Sequence, residues 1–369
     1  MAARSFGVWL SVALLTLICA PAEAHPPIPS NFVPVPIGWT HPSCVHRVPN
    51  GARVDEYDNV YVNERMIAHY DKCPYPWILS DILATPPTSS GPDAGIVETV
   101  VDGGIFASPA ESGPVGPGGS SGWLEGAYQY VSYDYPWDYI YGLYQVPTAP
   151  ANHVSDAGVE QTLYFWQGLQ SNTPNPPTGA APPESPGPPN GDCGLLQPVL
   201  QWGPNPWGGG EYWSFASWWW VTSYGPPPGY PSYNGYVSDF VESDVNTSDY
   251  IQSYISLGSE DGGEWEIYMY DQESTYSANL YVPNVCNYNN YFAIAEADSG
   301  GGQITNCGEV PHQMHFTDIY VCQGNPSLYS YDCITPSMSF WFQSGLPSCQ
   351  WSVSAGSSGN EGWTTLTMK

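Results

Sequence analysis

The chain has 369 residues and carries 35 Asp plus Glu against only 6 Lys plus Arg, for a formal net charge of -29 at pH 7. A surface so short of cations repels nucleic acid and anionic membranes, so both are excluded as partners. Its carboxylates repel one another at neutral pH and relax on protonation, which fits acidic surroundings as readily as plain solubility.

The first element is a leader. Arg4 precedes the apolar stretch Val8 to Ala20, and Ala22-Glu23-Ala24 offers a small-x-small cleavage site, so residues 1–24 read as a secretory signal peptide. That stretch is too short to span a bilayer stably, and the secreted, extracellular chain is expected to begin near His25 with no membrane contact thereafter. Eight cysteines remain beyond the leader: Cys44, Cys73, Cys193, Cys286, Cys307, Cys322, Cys333 and Cys349. An even count in an exported chain argues for disulfides rather than metal ligands. Nearest-neighbour pairing gives Cys44 with Cys73, Cys286 with Cys307 and Cys333 with Cys349. Cys193 and Cys322 are left for each other by elimination.

Composition then divides the chain. Residues 25–81 form a small segment that holds Arg47, Arg53, Arg65 and Lys72. Its middle, Ala52 to Asn63, reads as a β-hairpin around a polar turn. If the chain works in acid, this segment is expected to be a removable propeptide, because its cations pair with the acidic body only while the carboxylates are ionised. Residues 82–122 are rich in Pro, Gly and Ser around Gly95 to Val101 and read as a tether with one short strand. Residues 123–322 form the main domain, and residues 323–369 a disulfide-bearing extension.

The main domain alternates short runs of Tyr, Trp, Val and Ile with Pro-Gly-Asn punctuation, as in Leu163 to Trp166, Trp213 to Val221, Tyr250 to Leu257 and Trp265 to Tyr270. This predicts an all-β fold, two packed antiparallel sheets without a long helix, since each alternating strand needs a second sheet to bury its apolar face. Asn172 to Asn190 is Pro-rich and predicted to be an exposed loop. Asn246-Thr-Ser248 is an acceptor pattern for N-glycosylation in a eukaryotic host.

Two polar side chains interrupt apolar runs. In Tyr291 to Asp298, alternation places Phe292, Ile294, Glu296 and Asp298 on one face and Ala293, Ala295 and Ala297 on the other. A carboxyl among apolar neighbours has the setting of a general acid or base, while the bland alternative is a solvated edge residue. Gln197 shares its face with Leu195, Val199 and Gln201. Pro198 lacks a backbone donor, so this strand is predicted to be an edge strand or to bulge there. A Gln bonded to neighbouring backbone is the alternative to a functional one.

At these residues the chain resembles the glutamic peptidase family of the eqolisin type. Gly122-Trp-Leu-Glu-Gly-Ala127 is similar to that family's Asn-Trp-x-Gly-Ala, and Phe165-Trp-Gln-Gly-Leu169 to its Ala-Trp-Val-Gly-Ile. Leu195-Leu-Gln197 is similar to its Ile-Leu-Gln, and Ala295-Glu296 falls where the family has Ala-Glu. The resemblance implies a concanavalin-like antiparallel β-sandwich of jelly-roll type, preceded by the small disulfide-bearing segment. It also implies a secreted acid endopeptidase with Glu296 as general base on water, Gln197 as oxyanion donor and Trp166 as a wall of the cleft. A carboxylate takes the proton and a neutral amide stabilises the oxyanion, so neither a metal nor a cofactor is needed. The implied partner is a protein or peptide substrate, met by a monomer. The family's Tyr-Glu-Trp-Tyr corresponds here to Ser217-Trp-Trp-Trp220, which lacks the acidic residue, and the family's second acidic residue downstream lets Glu296 slide in the alignment. A catalytically silent sandwich therefore stays open.

Other constellations point elsewhere. His312 and His315 lie beside Cys307 and Glu309, but three residues apart on a strand they face opposite sides, so no metal site is expected. No Gly-x-Ser-x-Gly elbow occurs, and no carboxylate pair is singled out for glycoside hydrolysis. Trp218 and Trp220 fit the wall of a substrate cleft, stacking on sugars in a lectin-like sandwich, or core.

Overall fold

The computed structural model describes residues 31–36, 38–75, 78–79, 100–101, 104–105, 123–130, 137–154, 160–170, 194–220, 234–258, 263–284, 288, 290–298, 304, 306–325, 330–334, 339–342, 349, 351–358 and 361–368. The leader, most of the tether and the Asn172 to Asn190 loop lie outside the described residues.

The N-terminal segment forms β1 (Val33–Val35), β2 (Gly38–Thr40), β3 (Val45–Val48), β4 (Ala52–Val54), β5 (Asn59–Val62), β6 (Arg65–His69) and β7 (Ile78–Leu79). Two short strands follow, β8 (Val100–Val101) and β9 (Gly104–Ile105). The main domain contains β10 (Trp123–Tyr130), β11 (Tyr139–Gln145), β12 (Thr162–Gln170), β13 (Leu195–Asn205), β14 (Gly208–Trp220), β15 (Gly235–Ser238), β16 (Tyr250–Leu257), β17 (Glu264–Asp271), β18 (Ser277–Pro283), β19 (Asn290–Asp298) and β20 (Gln313–Asn325). The chain closes with β21 (Ser330–Ile334), β22 (Ser339–Phe342), β23 (Trp351–Ser358) and β24 (Glu361–Met368). Two 3-10 turns, Pro42–Cys44 and Cys307–Glu309, complete the elements, and no α-helix occurs among the described residues. Correspondingly, no described helix is long and apolar enough to cross a membrane.

The strands build two large sheets and one small one. The first large sheet runs β22-β10-β19-β12-β13-β14-β15-β3, and the second β6-β5-β4-β18-β17-β16-β11-β20-β24-β23-β9-β8, with β21 beside β20. Strands β1, β2 and β7 form the small sheet. Period-two burial in β11, β16 and β17 shows why the sheets pair: every second residue is buried, and most of these, such as Ile140, Ile251, Ile255, Trp265, Ile267 and Met269, are apolar and have to leave water. Leu163, Phe165, Leu196, Leu200, Phe215 and Trp219 of the first sheet meet Ile140, Ile255, Ile267, Leu280, Phe316 and Leu366 of the second in one core. The protein is thus an all-β sandwich.

Within the main domain every paired strand is antiparallel. The N-terminal segment adds two parallel junctions: β3 lies beside β15 at the end of the first sheet, and β4 lies beside β18 in the second. Val48, Ala52, Val54 and Val60 consequently belong to the inter-sheet core. The C-terminal strands are equally built in, since β24 pairs with β20. Segments separated by composition are therefore joined by hydrogen bonding. The expected Ala52 to Asn63 hairpin is present as β4 and β5.

Cys44 bonds Cys73, as nearest-neighbour spacing suggests. Cys307 bonds Cys349, so the expected Cys286–Cys307 and Cys333–Cys349 pairs are corrected. The reason is topological: Cys333 stands in register with Cys322 across the β20–β21 pair, so its nearest cysteine in space differs from its nearest in sequence. Cys322 is also disulfide-bonded. Cys193 and Cys286 lie outside the described residues.

Candidate active site

The outer face of the first sheet carries a second apolar cluster. Tyr164 and Trp166 on β12, Leu195 and Val199 on β13, Trp218 and Trp220 on β14, and Phe292 and Ile294 on β19 form it, together with Val35 and Val45 of the N-terminal segment. Trp218 and Trp220 stack with ring centroids 5.1 Å apart, while Trp219 between them faces the inter-sheet core. Alternation therefore places side chains as expected on both site strands. Phe292 and Ile294 lie outside, and Ala293, Ala295 and Ala297 inside.

Glu296 and Gln197 are both buried on this outer face. The indole Nε1 of Trp166 donates to Glu296 Oε2 at 3.2 Å. Gln197 is different: neither its amide oxygen nor its amide nitrogen has a hydrogen-bond partner among the described residues. A buried amide left so costs on the order of 1–3 kcal/mol, and such a group needs an explanation.

Register gives their separation. Strand β12 lies between them, with Trp166 opposite Val199 and Leu169 opposite Leu196 on one side, and Gly168 opposite Phe292 on the other. The unchanged offset puts Gln197 level with Gly168 and hence with Phe292, four residues along β19 from Glu296. Four residues of strand, about 14 Å, and two inter-strand spacings, about 10 Å, place the two Cα atoms about 17 Å apart. The two side chains share a face without meeting. The Trp166 indole occupies the interval: it bonds Glu296, and its ring atoms lie 3.1 Å from where a Cβ on Gly168 would stand.

Pro198 does not produce the expected edge or bulge. Strand β13 is central, and the register shift it carries lies at Trp202/Gly203 instead. At the Pro198 rung the Tyr144 hydroxyl, from β11 in the opposite sheet, donates to Pro198 O at 2.8 Å and accepts from Gln167 N at 2.8 Å. Tyr144 is fully buried, and burial raises its phenol pKa.

A second carboxyl, Glu125, is buried where β10 shifts register between Trp123 and Glu125, beside Ala295. Neither of its oxygens has a hydrogen-bond partner among the described residues, and burial holds its pKa well above the ordinary carboxyl value. Sequence reading missed it, because a Glu within Trp-Leu-Glu-Gly gives no sign of pointing inward. His315 bonds Thr365 Oγ1 at 3.0 Å, and no metal-binding group of His, Cys, Asp and Glu occurs among the described residues.

No protein-family model and no curated protein matches the chain. Among solved structures it is similar to a scytalido-glutamic peptidase with a peptide-based transition state analog, at 14% identity and a TM-score of 0.35. The same peptidase with a transition state analog inhibitor gives 14% and 0.37. SCP-B, a member of the Eqolisin family of peptidases in complex with the tripeptide Ala-Ile-His, gives 13% and 0.32. Each match covers 66% of this chain and 98% of the other. At such identity and overlap no residue role passes from those enzymes to this chain.

Proposed function

We propose that the outer aromatic face of the first sheet binds an extended peptide, and that the exported protein is an endopeptidase working in acid. The observation that carries this reading is the buried Gln197 amide, which has no hydrogen-bond partner among the described residues, on the same face as a buried carboxyl. Glu296 is the general base that takes a proton from water, and the Gln197 amide stabilises the oxyanion formed at the scissile carbonyl. Each side chain reaches about 5 Å from its Cα, which leaves about 7 Å between their tips. A water and a carbonyl span that gap through two hydrogen bonds of about 2.8 Å. Because the Trp166 indole fills the gap, substrate entry requires that ring to release Glu296 and swing aside. Trp218 and Trp220 form the apolar wall.

The test is digestion of denatured casein near pH 3 and near pH 7. Cleavage at the lower pH is expected, with Glu296→Gln lowering it by about a hundredfold or more through loss of the base. Gln197→Ala is expected to cost roughly 3 kcal/mol in barrier. Full activity in either variant would falsify the residue assignment.

A second reading has its own observation. Phe292, not a carboxyl, stands level with Gln197, which favours a binding sandwich without catalysis. No cleavage of casein between pH 2 and 5, together with retention on an immobilised peptide or oligosaccharide, would select it.

A further inference from the structure

We infer that Tyr144 is a positioning residue for the Gln197 amide, holding β12 and β13 apart at one rung of the ladder. The inference rests on the reading of Gln197 as the oxyanion donor. Register is the same on both sides of this rung, so an uninterrupted ladder would pair Gln167 with Pro198. Of the two bonds such a pair exchanges, Pro198 cannot donate one. The other is replaced by a relay, in which Gln167 N donates to the Tyr144 hydroxyl and that hydroxyl donates to Pro198 O. Two bonds of 2.8 Å in series keep nitrogen and oxygen farther apart than a single ladder bond of about 2.9 Å. The strands are therefore spread at the position where Gly168 and Gln197 face each other on the outer side.

The relay is braced from beneath. Tyr144 packs edge-on to Phe316 at 5.0 Å, which fixes where the phenol can point. The Gln167 side chain donates to Ser253 Oγ at 2.6 Å and accepts from the Tyr291 hydroxyl at 3.2 Å. Gln167 thus cannot drift towards β13 to remake the missing rung. On the outer side, a Cβ at Gly168 would lie 2.6 Å from Leu196 O and 3.1 Å from the Trp166 ring, so a side chain at this position would clash.

Tyr144→Phe keeps the ring and removes the relay. The expected result is a fall in kcat of about tenfold on a peptide substrate, with KM within about twofold of the parent, as befits a group acting on the transition state alone. Pro198→Ala returns the missing N–H and lets the strands close. It is expected to raise the melting temperature while lowering kcat, an opposition that a purely structural role would not give. Independently of turnover, the side-chain NH2 signals of Gln197, assigned by their absence in Gln197→Ala, should shift in Tyr144→Phe. If the parent cleaves nothing in acid, the functional reading fails while the NMR signals still decide the positioning. If Tyr144→Phe does not fold, the same signals are read in Pro198→Ala. Unmoved Gln197 signals in the folded variant overturn the inference, as does unchanged kcat in an active protein.

Discussion

Glu125 gives the molecule a pH dependence that can be read at one residue. Its carboxyl is buried, both oxygens lack partners among the described residues, and burial raises its folded-state pKa. The folded protein therefore holds this proton more tightly than the unfolded chain does. Stability is fully present below the unfolded carboxyl pKa and falls as pH rises above it. Glu125→Gln is expected to raise the melting temperature at pH 7 and to change it far less at pH 3, measured by calorimetry. An equal shift at both values would show that folding leaves the Glu125 pKa unchanged. Gly168 makes a second prediction at this scale. A Cβ there would sit 2.6 Å from a backbone oxygen of the neighbouring strand, so Gly168→Ala is expected to cost about 1–3 kcal/mol in denaturant unfolding. It should also displace the Trp166 ring, which on the proposed function lowers acid proteolysis.

Among the elements, strand faces were legible and strand neighbours were not. Alternation in Tyr291 to Asp298 and in Leu195 to Gln201 depends only on the local pleat, and it sorts Phe292, Ile294, Leu195 and Val199 onto the outer face as expected. Whether Glu296 meets Gln197 depends on the register of both strands against β12, which local pattern leaves open. Pro198 illustrates the same limit. Its missing donor is plain in the sequence, but the compensating hydroxyl comes from Tyr144, 54 residues away in the other sheet. A central strand carries this proline because that phenol occupies the broken rung. The Cys307–Cys349 bond follows the same logic, since the pairing of β20 with β21 puts Cys333 opposite Cys322.

For the whole molecule, the N-terminal segment decides between a removable and a permanent part. Arg47 pairs with Asp239 at 2.8 Å and Arg53 with Glu264 at 3.0 Å, the cation-to-body contacts that a pH-released propeptide would use. These pairs are more than a third exposed and contribute about 0–1 kcal/mol each. Burial of Val48, Val54 and Val60 contributes about 2 kcal/mol per side chain, and acid does not weaken it. Prolonged incubation at pH 3 is therefore expected to leave residues 31–75 attached, as intact mass would show. A fragment beginning beyond residue 75 that still melts cooperatively would contradict this. Val60→Asp should prevent accumulation of folded protein, because it places a charge in the shared core.

The parallel junctions also set the order in which the chain can fold. The His46–Asn234 hydrogen bond closes a loop of 188 residues, and β4 must wait for β18. Strands β3 and β4 thus meet their main-domain partners late, because closing so long a loop is entropically costly until the main sandwich exists to receive them. Until then the segment is held by its own β4–β5–β6 pairing and by the Cys44–Cys73 bond, a local staple that keeps its apolar residues together. Reduction before folding should slow maturation far more than reduction afterwards lowers stability.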